Sequence, residues 1–176
     1  MQGNFREHAA MLRGLGADVV EVRKPEQLDE VDGLVIPGGE STAIGRLVRL
    51  YGIEEALTRF DRPVFGTCAG MILLDREHLG LVDVQVERNA YGRQVASFEA
   101  DLDLDGERPL RGVFIRAPRI DAKGPDVEVL AELDGAPVLI RQGRYLLATF
   151  HPELTDDTRV HELFLEAVKE AMSVRA

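Results

Sequence analysis

The pattern of apolar and polar residues in the first half of the chain predicts helices that alternate with strands. Residues 5–15 carry apolar side chains at the spacing of one helix face, and glycines mark the end of this helix. Short apolar runs predict strands at 17–22, 33–36 and 63–65. Helical spacing also returns between residues 42 and 60, with a break at Gly52. Such alternation is typical of a mainly parallel sheet covered by helices on both faces.

From residue 81 onward the pattern changes to short β-rich runs. They occupy 82–86, 97–104, 112–120, 127–133 and 137–150. Apolar and polar residues alternate in them, which favours antiparallel or edge strands. A last amphipathic helix over 160–171 closes the chain.

These elements predict one α/β domain over residues 1–176, with a three-layer α/β/α architecture. Its mainly parallel central sheet carries an antiparallel β-rich extension. A doubly wound domain usually begins with a strand, whereas this sequence enters a helix directly after Met1, Gln2 and Gly3. We therefore expect that a first strand is missing from this chain.

Composition narrows the classes of function. The 176 residues are 45% hydrophobic, which suits a single core, and the formal charge is −10 without any lysine and arginine cluster for phosphates. We expect no nucleic-acid partner. No apolar run approaches about 20 residues, so no membrane partner is expected either. A single cysteine excludes an internal disulfide and favours a reducing, cytoplasmic setting. The four histidines show no metal-ligand spacing, and we expect neither a metal nor another cofactor.

Cys68 stands where an apolar strand-like run meets an apolar helix-like run. Gly66 and Gly70 flank it and leave room for a sharp turn. A thiol at a helix N-terminus is favoured in its nucleophilic thiolate form. A free cysteine alone is more often an inert buried residue, so the elbow is what makes Cys68 a candidate nucleophile.

His151 and Glu153 lie just past another apolar run, at 146–150. In an extended segment, residues i and i+2 point to the same side. Glu153 could therefore orient the ring of His151 while the other ring nitrogen faces Cys68, which is the arrangement that thiol catalysis needs.

Gly38 and Gly39 follow a predicted strand and precede a predicted helix, so their backbone N–H groups are candidates to stabilise an oxyanion. The N–H of Ala69, the residue after the elbow cysteine, is the second candidate donor. A glycine-rich turn with a capped helix is the simpler interpretation of the double glycine. Together with Cys68, the pair favours acyl transfer at a carbonyl.

Arg93 and Arg116 interrupt β-rich segments, and a guanidinium there could bind a substrate carboxylate. A solvated arginine is the commoner case.

Five segments together resemble the class I, triad-type glutamine amidotransferases with a flavodoxin-like fold, and among them the glutaminase subunits of pyridoxal 5′-phosphate synthase. They are the stretches 33–42, 65–70, 86–94, 97–101 and 150–155. The cysteine elbow and His-Pro-Glu belong to the wider superfamily. Gly-Glu-Ser-Thr at 39–42 and Asn-Ala-Tyr-Gly-Arg-Gln at 89–94 narrow the resemblance to the synthase subunits.

The resemblance implies hydrolysis of L-glutamine to L-glutamate and ammonia, with the ammonia delivered to a synthase subunit for vitamin B6 biosynthesis. It implies Cys68 as nucleophile, His151 as general base and acid, and Glu153 as orienter. The residues that it implies for glutamine binding are Gly39, Glu40, Ser41, Arg93, Ile115 and Arg116. It also implies twelve glutaminase subunits around a dodecameric synthase, whose docking completes the oxyanion turn at Gly38 and Gly39.

Two alternatives stay open on the residues alone. One is a cysteine peptidase or another hydrolase of the same superfamily architecture. The other is a non-catalytic binding subunit in which Cys68 is a buried or redox-sensing thiol.

Overall fold

A computed structural model of the chain describes residues 5–39, 52–88, 97–104, 106 and 108–175. The strands in this part of the chain are β1 (Leu34–Ile36), β2 (Val64–Thr67), β3 (Val84–Glu87), β4 (Ser97–Leu102), β5 (Leu110–Ile115), β6 (Arg119–Lys123), β7 (Glu128–Leu133), β8 (Ala136–Gln142) and β9 (Tyr145–Ala148). The α-helices are α1 (Phe5–Gly14), α2 (Ile53–Arg59), α3 (Ala69–Leu74) and α4 (Arg159–Arg175). Short 3-10 helices span Pro25–Glu30 and Pro152–Leu154. The helix predicted to begin near residue 42 starts outside the described residues.

The main sheet has the strand order β1-β2-β9-β8-β7. β1, β2 and β9 are parallel to one another, whereas β9, β8 and β7 are antiparallel. Separate antiparallel pairs, β3 with β6 and β4 with β5, form the predicted β-rich extension. The central sheet is therefore parallel on the side that leads to Cys68.

The prediction of antiparallel strands in the 137–150 run is confirmed by the pairing of β8 with β9, but β9 also pairs in parallel with β2. This run is a hairpin of β8 and β9, turned at Gly143 with a φ of 54°. Because the hairpin folds back, β9 lies inside the sheet and pairs with β2, with Ala148 opposite Thr67. The chain after β9 consequently emerges beside the elbow that follows β2.

Alternate residues of the sheet face two separate hydrophobic clusters. Val64, Ile140 and Leu147 pack in one cluster with residues of α2, α3 and β3. Phe65 and Leu146 pack in the other with residues of α1, α4 and β5. Since side chains alternate between the faces of a strand, the sheet is covered on both faces, as the three-layer prediction requires.

The strand predicted at 17–22 is not formed. The segment belongs to no strand or helix, and Val20 is 58% exposed. A cavity of about 530 Å³ is lined by both this segment and residues of β1, together with side chains of α1 and α4. A strand needs ladder hydrogen bonds to a neighbour, and among the described strands β1 stands at the end of the sheet and pairs with β2 alone.

The run predicted at 112–120 is divided between β5 and β6. Arg116 has a φ of 43° and Pro118 has no N–H to donate, so the ladder breaks between the two strands. Within the described ranges, no helix combines the length and the apolar character needed to cross a bilayer.

Candidate active site

Cys68 occupies the sharp turn between β2 and α3. Its φ of 48° and ψ of −106° are unusual for a residue with a side chain, and such backbone costs on the order of 1–3 kcal/mol. The N–H of Cys68 donates to the carbonyl of Ala148 on β9 at 2.8 Å. Its side chain is 7% exposed. The sulfur is thus held at the end of the parallel strands, where open α/β sheets place their sites.

The two flanking glycines allow the elbow to pack closely. A Cβ on Gly70 would run into the carbonyl oxygen of Ile36 on β1. A Cβ on Gly66 would come within 2.9 Å of Leu147 Cδ2 and 3.1 Å of the carbonyl carbon of Gly70. Neither glycine has a positive φ. The backbone strain therefore lies at Cys68 itself, and the glycines supply room.

His151 is positioned by β9 and β5. It follows β9 by three residues, and its N–H donates to the carbonyl of Val113 on β5 at 2.8 Å. The ring is buried, and its Nδ1 lies 2.7 Å from Glu153 Oε1. Glu153, in the 3-10 helix that follows, is also buried. The structure thus brings Cys68, His151 and Glu153 together.

The surroundings of His151 favour its protonated form. Burial alone would lower its pKa, but hydrogen bonds to Cys68 and Glu153, with the charges of both, raise the pKa from 6.5 to about 9. His151 is therefore an imidazolium at neutral pH. A positive charge beside the cysteine sulfur is the arrangement that thiol catalysis needs.

Gly38 lies directly against the cysteine and the histidine. A Cβ at this position would be 2.6 Å from His151 Cε1 and 3.2 Å from Cys68 Cβ. The N–H of Gly38 donates to Thr67 Oγ1 at 3.0 Å. The turn after β1 is thereby fixed to the residue that precedes Cys68, and it borders the thiol.

The structure describes some of the remaining predicted site residues. Gly39 has a φ of 155°, which glycine adopts more readily than other residues. Ala69 is buried as the first residue of α3, where backbone N–H groups have no partner within the helix. Ile115 ends β5, two residues after the carbonyl that holds His151, and Arg116 follows. Glu40, Ser41 and Arg93 lie outside the described residues.

Sequence reasoning missed three polar residues beside the site, namely His8, Thr67 and His161. All three are buried. A signal exists for the histidines, because His8 shares a helix face with Leu12 and His161 lies between Val160 and Phe164 on the apolar face of α4. A histidine on such a face must be buried and needs a partner.

This fold and this arrangement of side chains place the protein in the class of α/β proteins built around a cysteine, a histidine and a carboxylate. The family model described as "SNO glutamine amidotransferase family" matches residues 1–170. The chain belongs to the SNO glutamine amidotransferase family.

Relatives and a solved structure match over almost the whole chain. "Pyridoxal 5'-phosphate synthase subunit PdxT" of Thermosipho africanus is 55% identical over 180 residues, which cover 96% of this chain and 96% of that protein. The protein of the same name from Pelotomaculum thermopropionicum is 57% identical over 94% of this chain and 91% of its own length. A crystal structure described as glutamine amidotransferase has a TM-score of 0.89 and 49% identity, and the match covers 96% of this chain and 95% of that one.

Proposed function

We propose that the chain is the glutaminase subunit of a pyridoxal 5′-phosphate synthase. In this role it hydrolyses L-glutamine to L-glutamate and ammonia. The observation that carries the proposal is the contact of Cys68 with His151, whose Nδ1 is bonded to Glu153. Membership of the glutamine amidotransferase family and the name shared by the relatives support the substrate and the pathway.

The first half of the proposed reaction forms a thioester. The Cys68 thiolate attacks the side-chain amide carbon of glutamine, and the N–H groups of Gly39 and Ala69 stabilise the resulting oxyanion. Protonated His151 then donates its proton to the amide nitrogen. The C–N bond breaks and ammonia leaves.

The second half hydrolyses the thioester. Neutral His151 takes a proton from water as the water oxygen attacks the acyl carbon, and the C–S bond breaks. Glutamate leaves and the thiolate and imidazolium pair is restored. Glu153 keeps the His151 ring oriented and stabilises its positive charge in both halves. The scheme needs no cofactor or metal.

Glutamine binding is assigned to residues around the thiol. Arg93 and Arg116 are the proposed ligands of its α-carboxylate, because a guanidinium can donate two parallel hydrogen bonds to a carboxylate. The other proposed contacts are Gly39, Glu40, Ser41 and Ile115. Support for Ile115 and Arg116 comes from the hydrogen bond that joins β5 to His151.

The proposed partner is the synthase subunit, in the cytoplasm, with twelve copies of each subunit in the assembly. This partner receives the ammonia. In this scheme, docking completes the oxyanion turn at Gly38 and Gly39, which limits the loss of ammonia by the isolated subunit.

The test is ammonia release from L-glutamine by the purified chain with and without the synthase subunit. We expect turnover that rises when the synthase is added and that is lost in Cys68→Ala. A matched Met71→Leu variant, altered in the core of α3, controls for nonspecific effects and should retain turnover. Release of ammonia by the Cys68→Ala complex, or cleavage of peptides in place of glutamine, would contradict the proposal.

A further inference from the structure

Two buried histidines from opposite ends of the chain meet behind the candidate active site. His8 on α1 is 2% exposed and His161 on α4 is fully buried. Nδ1 of His8 lies 2.8 Å from Nε2 of His161. Both rings stand edge-on to Phe65, with centroid distances of 5.7 and 5.4 Å. The pair is thus fixed in the core by packing as well as by its hydrogen bond.

His8 also reaches two groups that shape the site. Its Nε2 lies 3.3 Å from Glu153 Oε2 and 3.2 Å from Thr67 Oγ1. Glu153 bonds His151 through its other oxygen, and Thr67 accepts the N–H of Gly38. One ring nitrogen therefore touches both the carboxylate beside the histidine and the hydroxyl that holds the double-glycine turn.

The hydrogen bonds determine which nitrogens carry protons. The hydrogen bond of Nε2 is to Thr67 Oγ1, and Glu153 Oε2 lies 3.3 Å away as an ion-pair contact. A carboxylate has only acceptor lone pairs and would repel a lone pair on Nε2, so Nε2 carries the proton of His8. Burial lowers the pKa of His8 despite the opposing charge of Glu153, and the ring is neutral. Its Nδ1 is then an acceptor, and Nε2 of His161 must donate to it.

The position of the proton on His161 can also be assigned. Burial, and next the neighbouring His8, lower its pKa to about 3, so His161 is neutral and has one proton. With that proton on Nε2, its Nδ1 is left as a lone pair, and this atom has no hydrogen-bond partner among the described residues. An unpartnered acceptor is more easily tolerated than an unpartnered N–H. In the described part of the chain no group of three or more histidine, cysteine, aspartate and glutamate side chains could hold a metal.

We infer that His8 is a positioning residue for the proposed glutaminase reaction: its Nε2–H bonds Thr67 and lies in electrostatic contact with Glu153, and His161 fixes its tautomer. The inference rests on the proposed function for its reaction but on geometry alone for the contacts. His8 acts through Glu153 on His151 and through Thr67 on Gly38. A small displacement of such groups can cost about 10²-fold in rate.

Amide variants of His8 separate positioning from packing. In His8→Gln the amide nitrogen takes the approximate place of Nε2 and can donate to Thr67 while it stays close to Glu153. In His8→Asn the amide reaches only to the place of Nδ1, and in His8→Leu the donor is absent. We expect kcat for glutamine in the synthase complex to fall about 10- to 100-fold in the asparagine and leucine variants. KM should stay within about twofold, and the glutamine variant should stay within about threefold of wild type.

Alkylation of Cys68 by iodoacetamide at neutral pH gives a second readout that does not require glutamine turnover. The rate reports the reactivity of the sulfur beside His151, so it should fall several-fold in His8→Asn and recover in His8→Gln. His78→Gln is the matched control, since His78 bonds Asp75 and Arg88 instead of the site residues. Both of its rates should match wild type.

The outcomes separate the two proposals. A wild-type complex that releases no ammonia from glutamine contradicts the proposed function, while the alkylation series still tests His8. Equal losses in His8→Gln and His8→Asn would overturn the positioning role, and so would a His8→Asn variant with wild-type kcat and alkylation rate. If His8→Leu fails to fold, the two amide variants decide the question.

Discussion

Gly38 lies so close to His151 that a Cβ on residue 38 would be 2.6 Å from the ring atom Cε1. The same Cβ would also press on Cys68 at 3.2 Å. Real Cβ atoms do not approach ring carbons so closely, so either the turn after β1 or the His151 ring has to shift. Since the ring is held by Glu153 and the turn by Thr67, a methyl group here disturbs the site directly.

We therefore expect Gly38→Ala to reduce glutamine turnover in the synthase complex by at least about 100-fold. Overpacking should also lower the free energy of unfolding by about 1–3 kcal/mol. Steady-state ammonia release and urea unfolding measure the two effects. Gly14→Ala is the matched control, because a Cβ on Gly14 meets no atom within 4 Å. Turnover of Gly38→Ala equal to that of Gly14→Ala would show that the close approach has no consequence.

The loss of activity at alkaline pH should follow the deprotonation of His151. With a pKa of about 9, the His151 ring loses the proton that it donates to the leaving amide nitrogen as the pH rises through that value. We expect kcat/KM of the complex to fall with an apparent pKa near 9. The charge of Glu153 and its hydrogen bond raise the pKa of His151, so Glu153→Gln should move this fall to lower pH and reduce kcat at least about tenfold.

A profile of kcat/KM from pH 6 to 10 in both proteins tests this prediction. Glu128→Gln removes a surface carboxylate that pairs with Arg141, and it should leave the profile unchanged. A Glu153→Gln complex with the wild-type rate and alkaline limit would exclude the orienting role.

Acid should destabilise the fold through His161. The pKa of His161 is about 3 in the folded protein and about 6.5 in the unfolded chain. Between these pH values the unfolded chain binds a proton at His161 and the folded protein does not. The stabilisation is fully present above about pH 6.5 and is lost as the pH falls toward 3. His161→Phe removes this group.

We expect the free energy of unfolding to fall less steeply with acid in His161→Phe than in wild type. The slopes should differ by about 1 kcal/mol per pH unit between pH 6 and 4. Urea unfolding across this range measures both slopes, and their comparison cancels the carboxylates that the proteins share. Parallel slopes for wild type and His161→Phe would contradict the assignment.

The parts of the site that could be predicted from the sequence are those that depend on residues close together along the chain. Cys68 lies between two glycines at a strand and helix boundary, and His151 and Glu153 are two residues apart after an apolar run. Each pattern predicts its own local geometry. Because the carboxyl ends of parallel strands meet at one edge of a sheet, the two patterns are expected to lie close together. The helices α1 and α4 were also predictable, because their apolar faces repeat at helical spacing.

What sequence could not predict depends on contacts between distant segments. His8 and His161 are 153 positions apart, and no sequence pattern around either residue predicts that their rings are in contact. The hairpin at Gly143 that carries β9 into the sheet was hidden in one continuous β-rich run. The strand predicted at 17–22 had suitable residues but no neighbour for its ladder, since pairing is a property of the whole sheet.

Two fully buried threonines provide the sharpest test of the hydrogen bonds around the site. Thr67 Oγ1 accepts the N–H of Gly38 and lies 3.2 Å from His8 Nε2, whereas Thr149 Oγ1 is buried with no hydrogen-bond partner among the described residues. Valine replaces the hydroxyl by a methyl group of similar size in both cases. In Thr67→Val the N–H of Gly38 loses its acceptor, which costs about 1–3 kcal/mol, and we expect kcat to fall at least about tenfold. In Thr149→Val no bond is lost, so stability should stay equal or rise by about 1 kcal/mol with wild-type turnover.

Urea unfolding and ammonia release distinguish the two variants, and Thr67→Ser, which keeps the acceptor, should restore most of the rate. If the two valine variants behaved alike, the Thr67 hydroxyl would have no part in holding the turn.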